Sequence, residues 1–250
     1  MVTYNLLTNS TSRPALRPGM RERYMLREVK AIVLHWTANT ARGANAMANR
    51  NYFNLGSRPA SAHYIVDDRG CIQCIPENEV AFHCGDRPEG RYRPKGRELL
   101  SGEKIGLTPN YFTIGVEYCV NADGNLDNTF ARTVVMLASL LLRFNLSVDQ
   151  LLRHNDVTGK NCPAHFLNAQ MWDNLKVNVA GAMQNIAGTC RRAVVQSAAL
   201  NVRSGPGASH SILYELKKEM PVLVFRTTGD WACIQEGPEG WVNQKFIKII

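Results

Sequence analysis

The run Lys30-Ala-Ile-Val-Leu-His35 constrains the fold more than any other stretch of the chain. Its four consecutive apolar residues show no period-two alternation, so the strand they form is covered on both faces and lies inside a sheet. A buried strand of this kind carries His35 to the sheet edge, where an imidazole can meet solvent or a ligand. Elements of both types surround it. Asn39 to Leu55 is Ala-rich, with Ala44, Met47, Ala48, Tyr52 and Leu55 at helical spacing. Ala62-His-Tyr-Ile-Val66 and Cys71-Ile-Gln-Cys-Ile75 flank the turn Asp67-Asp-Arg-Gly70 as a hairpin, and Thr113 to Val120 is a β-branched strand.

Thr129 to Asn145 is predicted as a helix whose apolar face is Phe130, Val134, Leu137, Leu141 and Phe144. A last helix is predicted over Leu167 to Ile186, with Met171, Leu175, Val179 and Ala182 inward. Strands interleaved with helices indicate an α/β domain with a mixed central sheet flanked by helices. Past Gly188 the texture changes to short β-type runs: Ala193–Val195, Ala199–Val202, Pro221–Phe225, Trp231–Ile234 and Gly240–Val242. Turns rich in Gly, Pro and charge separate them, as in a small all-β barrel. The expected division is a polar N-terminal extension over 1–28 running along the surface, an α/β domain over 29–187 and the barrel over 190–250.

A net charge of +8 favours an anionic partner. From Arg191 onward there are 8 basic and 5 acidic residues against 21 and 16 before it, so the excess is spread over both parts. With no basic block and no nucleic-acid motif, nucleic acid is excluded as the expected partner, and the chain is expected to be a monomer. No apolar stretch approaches the roughly 20 residues that span a bilayer, so no membrane insertion is expected. The first ten residues lack the basic flank and apolar core of a signal peptide, so synthesis in the cytoplasm is expected. Seven cysteines do not form a disulfide framework, and Cys71-Ile-Gln-Cys74 has no second pair with which to build a four-cysteine metal site.

His35, His154 and Cys162 are the candidate metal ligands. His154 and Cys162 bracket Asn-Asp-Val-Thr-Gly-Lys-Asn, a polar stretch whose Gly, with Pro163 beyond it, lets the chain fold back. Two imidazoles and one thiolate suit zinc, and three protein ligands leave a coordination position for water or substrate, the arrangement of a hydrolase.

Five ordered stretches add a resemblance: Ala31-Ile-Val-Leu-His-Trp-Thr-Ala38, Ser61-Ala-His-Tyr-Ile-Val66, Val80-Ala-Phe-His-Cys-Gly85, Thr113-Ile-Gly-Val-Glu117 and Arg153-His-Asn-Asp-Val-Thr-Gly-Lys-Asn-Cys-Pro163. Together they resemble the zinc-dependent N-acetylmuramoyl-L-alanine amidases of the type 2 class, which include phage lysozymes and peptidoglycan recognition proteins. Leu200-Asn-Val-Arg-Ser-Gly-Pro-Gly207 and Gly240-Trp-Val242 resemble a bacterial SH3-like module of the kind that attaches wall hydrolases to peptidoglycan.

The resemblance implies that His35, His154 and Cys162 hold zinc and that bacterial peptidoglycan is the partner. It implies cleavage of the amide between N-acetylmuramic acid and L-alanine, by a phage or prophage endolysin or a bacterial autolysin acting on the wall after release. It also implies that Glu117 relays a proton and that Lys160 stabilises the oxyanion. A Cys-type metal site is here combined with a glutamate-type relay. His63 and His83 are expected among the substrate-binding residues, His63 also as a brace of the site floor. No role is expected for His165 or His210. Arg87 to Lys104 is expected to be an irregular charged loop, read first as a solvated insertion and alternatively as a cleft wall facing stem-peptide carboxylates. The other readings of the resemblance are a peptidoglycan-recognition protein that does not cut, and a cytosolic amidase for soluble wall fragments.

Overall fold

The apolar run does lie inside a sheet, and both its faces are buried. The computed structural model describes residues 2–85, 91–235 and 239–250. Its first part contains strands β1 (Val2–Tyr4), β2 (Ala31–Trp36), β3 (Tyr64–Val66), β4 (Cys71–Gln73), β5 (Thr113–Tyr118) and β6 (Leu151–Arg153). The helices are α1 (Ala46–Leu55), α2 (Pro94–Leu99), α3 (Leu126–Arg143), α4 (His154–Thr158) and α5 (Ala169–Ala187). The six strands form one mixed sheet in the order β1-β4-β3-β5-β2-β6, in which the β3–β4 hairpin is antiparallel and the other pairings are parallel.

Ile32 and Leu34 of β2, with Ile114 and Val116 of β5, join a core formed with Leu137 and Leu141 of α3 and Leu175 and Val179 of α5. Ala31 and Val33 turn the other way, onto Cys84, Tyr92, Leu99, Leu152 and Val157. Over β2 and β6 the second face therefore has a thin cover of loops and two short helices, while α1 packs on β3 and β4 of the same face.

Helix boundaries follow their caps. Asn125 accepts the Asn128 N–H and starts α3 three residues before the predicted Thr129, while Asn168 accepts the Met171 N–H and starts α5. Asn45 caps α1, which begins well after the predicted Asn39. Met171 is 45% exposed, and its neighbour Trp172 turns inward in its place. Met47, Tyr52 and Leu55 are also exposed; α1 is anchored instead by Ala46 and by buried Arg50, whose guanidinium donates to the carbonyls of Asn5 and Leu6.

Those carbonyls belong to a segment expected to run along the surface. The structure corrects this: β1 extends the sheet by pairing parallel with β4, Leu7 is fully buried, and Arg13 forms a two-pronged ion pair with buried Glu79. The sequence between these anchors is polar enough to hide them.

The second part has strands β7 (Arg191–Val195), β8 (Ala199–Arg203), β9 (Ile212–Lys217), β10 (Pro221–Val224), β11 (Arg226–Thr228), β12 (Trp231–Gln235), β13 (Gly240–Asn243) and β14 (Ile247–Ile249). They make two antiparallel sheets, β10-β7-β14 and β11-β12-β13-β8-β9, around Val195, Val202, Leu216, Val222, Val224 and Val242. Among the described residues no helix is long and apolar enough to cross a membrane.

Candidate active site

Strand register assembles the site. In the parallel pairing of β2 with β5, His35 lies opposite Glu117, and in the pairing with β6, Leu34 lies opposite Arg153. Residues in register on adjacent parallel strands point to the same face. Glu117 and His35 thus emerge together at the C-terminal ends of their strands on the thinly covered face. His154 follows β6 directly as the first residue of α4. Arg153 fixes that junction: its backbone N–H and guanidinium both donate to the Asp156 carboxylate, and the guanidinium also reaches the Phe166 carbonyl. Gly159, with φ +81°, turns the chain after α4, and Cys162 returns so that its carbonyl accepts the Asn155 N–H.

His35, His154 and Cys162 are all buried, and their donor atoms lie within 4.8 Å of one another. The His35 and His154 rings are 4.6 Å apart between centroids. A tetrahedral zinc with metal–nitrogen of about 2.0 Å and metal–sulfur of about 2.3 Å sets a nitrogen–sulfur separation of roughly 3.6 Å. His35 Nδ1 and Cys162 Sγ stand 3.7 Å apart, so the donor set fits such an ion. Burial, helped by the neighbouring His154, His83 and Lys160, holds the His35 pKa well below the ordinary histidine value. A neutral imidazole keeps the lone pair that a metal needs.

Glu117 is partly buried, and its Oε2 is enclosed without a hydrogen-bond partner among the described residues. Burial raises its pKa to about 8, against the opposing pull of the Lys160 ammonium. Lys160 is exposed, two residues before Cys162, and its charge bears on both Glu117 and His35. The structure thus brings five of the expected residues into one cluster.

His63 and His83 take different places. His63 is fully buried beneath the site: its Nδ1 accepts the Gly115 N–H at 3.0 Å and its Nε2 bonds the Glu79 carbonyl at 3.0 Å. With both nitrogens committed and no exposed surface it does not reach a substrate, and only the brace reading stands. His83 is partly buried, with Nδ1 3.0 Å from His35 Nε2 and Nε2 3.2 Å from Thr113 Oγ1.

The segment expected to be an irregular charged loop contains α2, with Tyr92 and Leu99 buried against the second face of the sheet. Lys95 pairs with Glu98 and Glu103 with Lys30, so part of its charge is internally matched. Arg87 and Glu89 of that expectation lie outside the described residues. Thr113, Gly115 and Asn110 also belong to the site and were not anticipated. The one local signal was Gly115, since a glycine inside a strand marks a close approach by another group.

Comparison with known proteins gives a consistent result. Residues 25–165 match the family model described as N-acetylmuramoyl-L-alanine amidase, and residues 198–248 match the bacterial SH3 domain. A probable N-acetylmuramoyl-L-alanine amidase of Bacillus licheniformis is 40% identical over 154 residues, covering 59% of this chain and 38% of the relative. The N-acetylmuramoyl-L-alanine amidase BlyA of Bacillus subtilis strain 168 is 37% identical over 170 residues, covering 67% of this chain and 44% of its own. The chain thus spans less than half the length of these curated relatives. Among solved structures, the catalytic domain of XlyA superposes with a TM-score of 0.56 at 28% identity, over 72% of this chain and 99% of that one. A mutant endolysin from Bacillus subtilis gives the same TM-score at 29% identity, over 72% and 98%.

Proposed function

The chain belongs to the N-acetylmuramoyl-L-alanine amidase family, and on that premise we propose that it hydrolyses the amide joining N-acetylmuramic acid to the L-alanine of the peptidoglycan stem peptide. The observation that carries this reading is the convergence of His35, His154 and Cys162 with Glu117 on one face of the sheet. His35, His154 and Cys162 would hold zinc, the metal general to this family. The chemistry such an ion supplies when bound is Lewis-acid polarisation of a carbonyl and acidification of water.

The rest falls to the chain's own groups. The Glu117 carboxylate takes the proton that water loses as its oxygen joins the carbonyl carbon, and passes it to the alanine nitrogen as the C–N bond breaks. The ammonium of Lys160 faces the charge that builds on the carbonyl oxygen. The products are a lactyl carboxylate and a free alanine amine. The SH3-like part holds the enzyme on its polymer and raises its local concentration there, as in an endolysin or autolysin. An intact triad beside a poised carboxyl favours turnover over binding alone.

Incubation with purified peptidoglycan should release new L-alanine N-termini, lose that activity with a chelator and regain it with zinc. A zinc-loaded protein that releases none sinks the proposal.

A further inference from the structure

We propose that His83 is a positioning residue of the metal centre: its Nδ1 accepts the Nε2–H of His35 and so leaves His35 Nδ1 as the metal-binding nitrogen. This rests on reading His35, His154 and Cys162 as a zinc site.

The direction of each hydrogen bond follows from a fixed end. The carbonyl of Pro109 can only accept, so the Thr113 hydroxyl that lies 2.8 Å from it donates. That hydroxyl has one proton, now committed, so towards His83 Nε2 at 3.2 Å it can only accept. His83 therefore carries its proton on Nε2. With one ring nitrogen carrying the proton, Nδ1 of the neutral ring is left with a lone pair. Nδ1 lies 3.0 Å from His35 Nε2, which must be the donor there. His35 is then the Nε2–H tautomer, with a bare Nδ1 directed at the Cys162 sulfur, 3.7 Å away. A chain of three hydrogen bonds runs from a main-chain carbonyl to His35 Nε2, across the ring from the metal-facing nitrogen.

The surroundings hold His83 in that pose. Its ring lies against Gly115 so closely that a Cβ there would stand 2.7 to 2.9 Å from three ring atoms. The Asn110 side-chain oxygen accepts the backbone N–H groups of His83 and Cys84, at 3.1 and 2.8 Å. An acceptor behind a metal-bound imidazole fixes its tautomer and orientation and increases its basicity; losing one typically weakens metal binding about 10- to 100-fold.

The test reads zinc affinity and tautomer in the full chain, so its result does not depend on which bond the enzyme cuts. Thr113→Val and His83→Ala should each weaken zinc binding, measured by chelator competition, by about 10-fold or more. Thr113→Ser, which keeps the hydroxyl, should bind zinc like the parent. The melting temperature of each metal-free variant separates lost ligand geometry from lost folding. Long-range proton–nitrogen NMR of the zinc-loaded parent, which needs no variant, should show His35 protonated at Nε2 and coordinated through Nδ1. Parent-like zinc affinity in both variants overturns the proposal, as does coordination of His35 through Nε2. A His83→Ala protein with a raised KM and unchanged zinc affinity overturns it too, because His83 would then be a substrate contact only.

Discussion

At the end of β5 the pKa of Glu117 rises to about 8 because its carboxyl is drawn out of water. A cation held at the triad would pull it back down, toward the range in which one carboxyl can both accept and return a proton near neutrality. Glu117→Gln should therefore keep zinc at parental affinity while kcat falls by about 100-fold or more; full activity would remove Glu117 from the proton relay. The same neighbourhood makes the metal-free protein sensitive to acid. Burial lowers His63 to about 4 and holds His35 and His83 well below the ordinary value. The folded chain thus refuses protons that the unfolded chain accepts below a pH of about 6.5, and this contribution to stability is lost as pH falls. Glu117 acts the other way: it keeps a proton that the unfolded chain has released, so its contribution falls as pH rises from about 4.5 to about 8. Three imidazoles outweigh one carboxyl on the acid side. Chemical denaturation of the metal-free protein should give a lower midpoint at pH of about 5 than at about 7, and a flat or inverted dependence would contradict that balance.

Among the elements, the β3–β4 hairpin and α1 are tied together by one side chain. Buried Asp67 accepts the Ala46 N–H through Oδ2, at 2.9 Å, and the Arg69 and Gly70 N–H groups through Oδ1, each at 2.8 Å. Asp67→Ala strands three backbone donors, and urea unfolding should show a loss of about 3 kcal/mol; a loss below about 1 kcal/mol would mean that water replaces the carboxylate. This link was not legible in the sequence, because nothing local announces that a turn residue also caps a helix 21 positions earlier. β2, β5 and α3 were legible because the apolar run of β2, the β-branched residues of β5 and the helical period of α3 are strong local signals. α2 was not, since half of Pro94-Lys-Gly-Arg-Glu-Leu is charged and only Gly96 and Leu99 are buried. β9 was missed for a related reason: Ile212 and Leu213 face solvent, Tyr214 packs only partly buried against the core, and Leu216 alone is buried in it. The metal triad was readable from residue type and motif order. The His83–Thr113 link behind it spans 30 positions and has no period to betray it.

At the scale of the whole molecule, the SH3-like part should matter for where the enzyme works more than for how. Removing residues 190–250 should cut activity on intact sacculi much more than on soluble muropeptides, compared in parallel turnover assays. An equal loss on both would assign that part to the catalytic fold instead. The site itself depends on long-range order. His35 and Cys162 are 127 positions apart, and Glu117 meets His35 only through the β2–β5 register. A slip of one residue in that pairing would turn Glu117 toward α3 and empty the cluster of its carboxyl. The site thus proofreads the sheet. An ion that needs all three donors finds them together only after strands from both ends of the domain have paired, so metal capture comes at the close of folding rather than seeding it.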